Sequence, residues 1–120
     1  MKNEILVWLS DIHRALDEIE LFFPGGKIFE DFNNDIKTQR AVERNIEIIG
    51  EAINRILKID SDFPIKNARR IVDTRNRIIH GYDTVSSDII WAIVVKYLPV
   101  LKEEVAAISG EAARRKKSPD

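Results

Sequence analysis

Ile5, Leu9, Ile12, Leu16, Ile19 and Phe23 follow one another at alternating steps of four and three residues. Because a helix brings side chains back to one side about every 3.6 residues, that spacing draws a single apolar face. Val42, Ile46, Ile49, Ile53 and Ile56 repeat it. No period-two alternation of the kind a strand needs competes anywhere. A chain written this way can bury its apolar stripes only by packing helix on helix, so the fold class is all-α, an up-down bundle of four to five helices. At 120 residues it has material for one core.

Punctuation sets the elements. The first periodic run predicts a helix over about residues 3–22. Pro24, Gly25, Gly26 and the pair Asn33-Asn34 then turn the chain, with Phe29 and Phe32 packing back. A second, long helix is expected from Ile36 to Ile59. Gly50 lies inside it at a propensity cost of about 1 kcal/mol, either to admit a neighbouring backbone or as a plain surface glycine. Pro64 suits a first helical turn, so the third helix is expected over about 64–80, ended by Gly81. Ser86-Ser87-Asp88 signals a fourth, which Pro99 should kink or divide. The domain is read as residues 1–108, followed by a basic, disordered tail over 109–120.

With no cysteine and two histidines, His13 and His80, disulfides, thiolate zinc sites and thiol nucleophiles are ruled out. His13 reads as a surface or packing residue. Charges interrupt every apolar stretch well short of the roughly 18 residues of a membrane span, which points to a cytoplasmic protein without a membrane partner. Net charge is −1, but residues 1–60 hold 8 Lys/Arg against 12 Asp/Glu, whereas residues 61–120 hold 11 against 8. Lys66, Arg69, Arg70, Arg75 and Arg77 crowd one short stretch beside Asp73, a local basic charge suited to phosphate.

Arg75 does not fit its face. On a wheel of about 100° per residue, Ala68, Ile71, Val72, Ile78 and Ile79 all surround it. A guanidinium on such a stripe must meet a carboxylate, reach a cleft or face a polar seam between subunits, since burial without a partner is costly. Arg44, Glu47, Glu51 and Arg55 read most simply as a solvated ladder of charge pairs; a second reading gives Glu47 or Glu51 to Arg75. His80 stands about 140° from Arg75 on a regular helix, and the two converge only if the helix is ending there. Asn76 is placed to orient the imidazole or bind a phosphate oxygen. Tyr82, one residue past Gly81, can share a rim with His80.

Residues 75–82, Arg-Asn-Arg-Ile-Ile-His-Gly-Tyr, resemble the R-N-x-x-x-H-x-Y signature of the HepT-like family within the HEPN superfamily. The run AVERNIEIIGEA at 41–52, Pro64 before the motif and Trp91 with Leu98-Pro99 after it extend the resemblance over about residues 1–108. It implies a helical homodimer joined through the motif helix and a ribonuclease toxin paired with a minimal nucleotidyltransferase antitoxin. Arg75 and His80 take the catalytic positions, Asn76 and Arg77 supporting polar and RNA-binding positions, and Tyr82 the position that receives adenylate.

Metal-free RNA cleavage needs a base for the 2′-hydroxyl, an acid for the leaving 5′-oxygen and positive charge for the transition state. One subunit has a single suitable imidazole, whereas a two-fold dimer would pool two copies of His80 and Arg75. Neither an H-E-x-x-H motif nor a phosphate-binding glycine loop is present, so no metal and no cofactor are expected. The competing reading is a non-catalytic helical dimer that docks a nucleotidyltransferase and presents nucleotide or substrate to it.

Overall fold

The computed structural model describes residues 1–81 and 85–117, with side chains up to residue 111. Among the described residues it is helical throughout, without a strand. The elements are α1 (Asn3–Leu21), a short α2 (Phe29–Asn33), α3 (Ile36–Ile59), α4 (Ala68–His80) and a last rod. That rod consists of α5 (Ser87–Ala92), a π-helical turn (Ile93–Tyr97) and α6 (Leu98–Lys117). Four long helical rods and one short helix match the expected bundle.

The core lies where the stripes meet. Ile5, Leu9, Ile12, Leu16 and Ile19 of α1 are buried against Val42, Ile46, Ile49, Ile53 and Ile56 of α3, which occupies the centre and packs on both α1 and α4. Leu101 and Val105 of α6 close the bundle. Asp35 caps α3, accepting from the Thr38 hydroxyl at 2.6 Å and the Thr38 amide at 3.1 Å. Those hydrogen bonds, the hydroxyl's first, lower the Asp35 carboxyl below its ordinary pKa. With the folded value depressed, the cap stabilises the helix start above the usual carboxylate range and is lost as pH falls through the lowered value.

Some of the expected elements are corrected. α4 begins at Ala68, not Pro64: Phe63 and Ile65 turn into the core as plugs, and the Lys66 amide donates 2.9 Å to Glu104 of α6, so the backbone around Pro64 serves tertiary anchoring before a helix can start. Residues 29–33 form a helical turn rather than plain loop. It buries Phe32 and sets Phe23, Phe29 and Phe32 around Trp91 at 5.2–5.8 Å between ring centroids for the Trp91 pairs. α6 runs as helical backbone to Lys117, into the segment 109–120 read as a basic tail. Pro99, expected to kink or divide the last helix, stands second in α6, just past the π-helical turn that separates α6 from α5.

Candidate active site

α4 lies against α3 because its face of Ala68, Ile71 and Val72 is apolar and buried. Arg75 continues that face one turn on, and its stem rests on Gly50. A Cβ at position 50 would overlap Arg75 Cβ, stand 2.8 Å from its Cγ and lie 3.5 Å from the Ile71 carbonyl oxygen. Of the two roles open to Gly50, close approach is therefore the one it plays, and what approaches is the root of the Arg75 side chain.

The guanidinium leaves the stripe at its edge. Its Nη2 forms an ion pair with Glu51, and its Nη1 donates to Asn76 Oδ1 at 2.9 Å. Glu51 also accepts from Arg55 Nε at 2.9 Å, so one carboxylate holds two arginines. Arg75 Nε is buried and has no acceptor among the described residues. The side chain, 20% exposed, borders an open cleft of about 310 Å³ between α1, α3 and α4. Asp11, Glu47 and Glu51 face Arg44, Arg55 and Arg75 across it, and Trp8 and Ile79 supply apolar wall. The carboxylate and the cleft, two of the three solutions expected for a misplaced arginine, are thus both realised.

The solvated-ladder reading of α3 holds for Arg55 and Glu51, and the second reading, which gives Glu47 or Glu51 to Arg75, is realised by Glu51. Counted from Ile49, Glu51 points away from the core. α4, however, lies over Gly50, which brings its next-door carboxylate under Arg75.

Asn76 Oδ1 accepts from Arg75 and so helps to hold the guanidinium. Arg77 is exposed on the other flank of α4, in a groove against α5 and the π-helical turn. His80 is exposed on the last residue of α4, and Gly81 closes the helix in the left-handed conformation, φ 65°. The helix stays helical through His80, so the local unwinding needed for convergence with Arg75 does not occur. The wall of the Arg75 cleft contains Ile79 but not His80. Tyr82 lies outside the described residues. His13 is an exposed surface residue, 3.2 Å from Asp17.

Among the described residues no group of three or more His, Asp or Glu stands together as a metal site. No described helix is long and apolar enough to cross a membrane.

A family model described as ribonuclease HepT-like matches residues 12–108. A protein of Thermococcus cleftensis, named with a qualifier as a ribonuclease HepT, is 37% identical over 106 residues, covering 85% of this chain and 93% of its own. A protein of Methanocaldococcus jannaschii, provisionally named an RNase, is 30% identical over 115 residues, 92% of this chain and 94% of its own. Another provisionally named RNase, from Caldanaerobacter subterraneus, is 37% identical over 87 residues, 69% and 75% of the two chains. No solved structure matches the chain significantly.

Proposed function

Since the chain belongs to the HepT-like ribonuclease family, we propose that it is a metal-independent endoribonuclease toxin of the cytoplasm whose active site is completed by a second copy. The observation that carries this reading is the position of Arg75, a largely covered cation held at the mouth of a cleft, on the same helix as an exposed His80.

The chemistry follows from what each group can exchange. An imidazole takes the proton of a 2′-hydroxyl, the 2′-oxygen forms a bond to phosphorus, and the bond from phosphorus to the 5′-oxygen breaks. A second imidazole, protonated, returns a proton to that oxygen, leaving a 2′,3′-cyclic phosphate. Arg75 neutralises the charge that builds on the phosphoryl oxygens, a task a planar guanidinium suits. Each chain supplies one His80, and within one chain His80 does not line the Arg75 cleft. A two-fold pairing along α4 would set His80 of one copy against Arg75 of the other and provide base and acid together.

Mixing tests it. Wild type should cut single-stranded RNA in EDTA and sediment as a dimer at micromolar concentration. Arg75→Ala and His80→Ala subunits, each inactive alone, should recover partial activity when combined. A monomer that still cuts would refute the shared site. A dimer that binds RNA without cutting would instead mark a module that presents substrate to a nucleotidyltransferase.

Control by a minimal nucleotidyltransferase antitoxin belongs to the same proposal, with Tyr82 as acceptor. The tyrosine hydroxyl gives up its proton and attacks the α-phosphorus of ATP and pyrophosphate leaves, so a phosphodiester forms two residues along the chain from His80. Its negative charge and bulk oppose entry of an RNA phosphate. Co-expression should add the mass of one or more adenylates to wild type and none to Tyr82→Phe. Equal modification of both would dismiss Tyr82 as the acceptor.

A further inference from the structure

On the flank of α4 away from the Arg75 cleft, a groove of about 740 Å³ runs between α4 and the rod of α5 and the π-helical turn. Lys66, Arg69, Arg70, Arg77 and Lys96 line it against a single acid, Asp73. That is a local charge of +4 on a chain whose net charge is −1. All five cations are exposed. The Arg75 cleft, by contrast, balances three acids with three arginines. The chemical centre is therefore close to neutral, and the attraction for a polyanion lies on the other face of the same helix.

The groove has direction and a floor. From Arg69 to Arg77 it follows α4 for about 12 Å at 1.5 Å per residue, room for a short run of backbone phosphates. Arg70 lies over the Tyr97 ring, 4.9 Å from guanidinium carbon to centroid. Stacking of this kind fixes the guanidinium plane and leaves its in-plane N–H groups to donate. A second copy of the chain is a poor occupant, because an isologous contact would press like charges together.

We infer that this groove binds the sugar-phosphate backbone of single-stranded RNA through Arg69, Arg70, Arg77 and Lys96 and leads the strand along α4 toward His80. The inference rests on the ribonuclease reading for its substrate, but it can be tested apart from cleavage. The probe is a fluorescent single-stranded oligoribonucleotide with 2′-O-methyl sugars, which cannot be cut, read by anisotropy against the full-length protein.

Arg69→Glu/Lys96→Glu should weaken binding at least tenfold at low salt. It should also flatten the slope of log affinity against log salt by about 0.7 for each phosphate that is no longer neutralised. Lys37→Glu/Lys58→Glu, the same charge change on exposed α3 positions, should leave affinity within about twofold, and circular dichroism should show both variants folded. Equal weakening in the two variants, unchanged binding by the groove variant, or no binding by wild type overturns the inference. RNA binding that stays intact in the groove variant while capture of an acidic protein partner fails does so too, making the groove a protein-docking surface. If wild type binds through the groove yet cuts no RNA, the groove stands and the ribonuclease reading falls.

Discussion

Arg75→Ala and His80→Ala are each expected to reduce RNA cleavage by two to four orders of magnitude while the protein stays helical. A positioned proton-transfer group contributes about 10²–10⁴ in rate, and a charge aimed at the developing phosphorane contributes about as much. The two losses should look different. His80 is exposed at the end of α4, so its removal disturbs little packing and the loss should fall on kcat. Arg75 is largely covered and tied to Glu51 and Asn76, so its removal also leaves Glu51 with Arg55 alone and opens space above Gly50. Arg75→Lys tests geometry against charge: it keeps the cation but cannot hold Glu51 and Asn76 on separate nitrogens, and it should recover only a small part of the rate. Activity at the wild-type level in either alanine variant, with cleavage measured in EDTA against a mock purification, would end the assignment.

The largest effect on stability is expected at Gly50. Alanine there would ordinarily favour a helix by about 1 kcal/mol. Here its methyl would overlap the root of Arg75, which cannot swing aside as the end of a long side chain can. Either α4 lifts from α3 or Arg75 leaves its rotamer, and overpacking of this kind costs about 1–3 kcal/mol. Gly50→Ala should therefore lower the urea midpoint of unfolding and, by moving Arg75 off Glu51, reduce cleavage as well. Gly110→Ala, in α6 with open space around the glycine, is the matched comparison and should be neutral or stabilising. A Gly50→Ala protein more stable than wild type would mean that α4 does not press on α3 at this point.

The boundaries of α1 and α3, the all-helical class and the buried stripes were legible in the sequence because helical periodicity is a property of each segment alone. Arg75 was legible too, as a charge where the pattern asks for an apolar residue. Its partner was legible only as a second reading, Glu47 or Glu51, behind the simpler one of a solvated ladder. Glu51 occupies a solvent-side position by the count within α3, and only the way α4 lies over Gly50 makes it a buried-edge partner rather than a surface acid. The start of α4 shows the same division: Pro64 is a sound helix opener locally, but Phe63, Ile65 and the Lys66 amide are claimed by the core and by Glu104. So it is with the basic groove. Five cations near one stretch announce a taste for phosphate, but Lys96 and Tyr97 come from a distant segment, and only packing of the last rod beside α4 turns a charged stretch into a channel. Local pattern determined which residues are helical and which are out of place. Tertiary packing decided what those misplaced residues meet, because partners far apart in the chain carry no mark of each other in its periodicity.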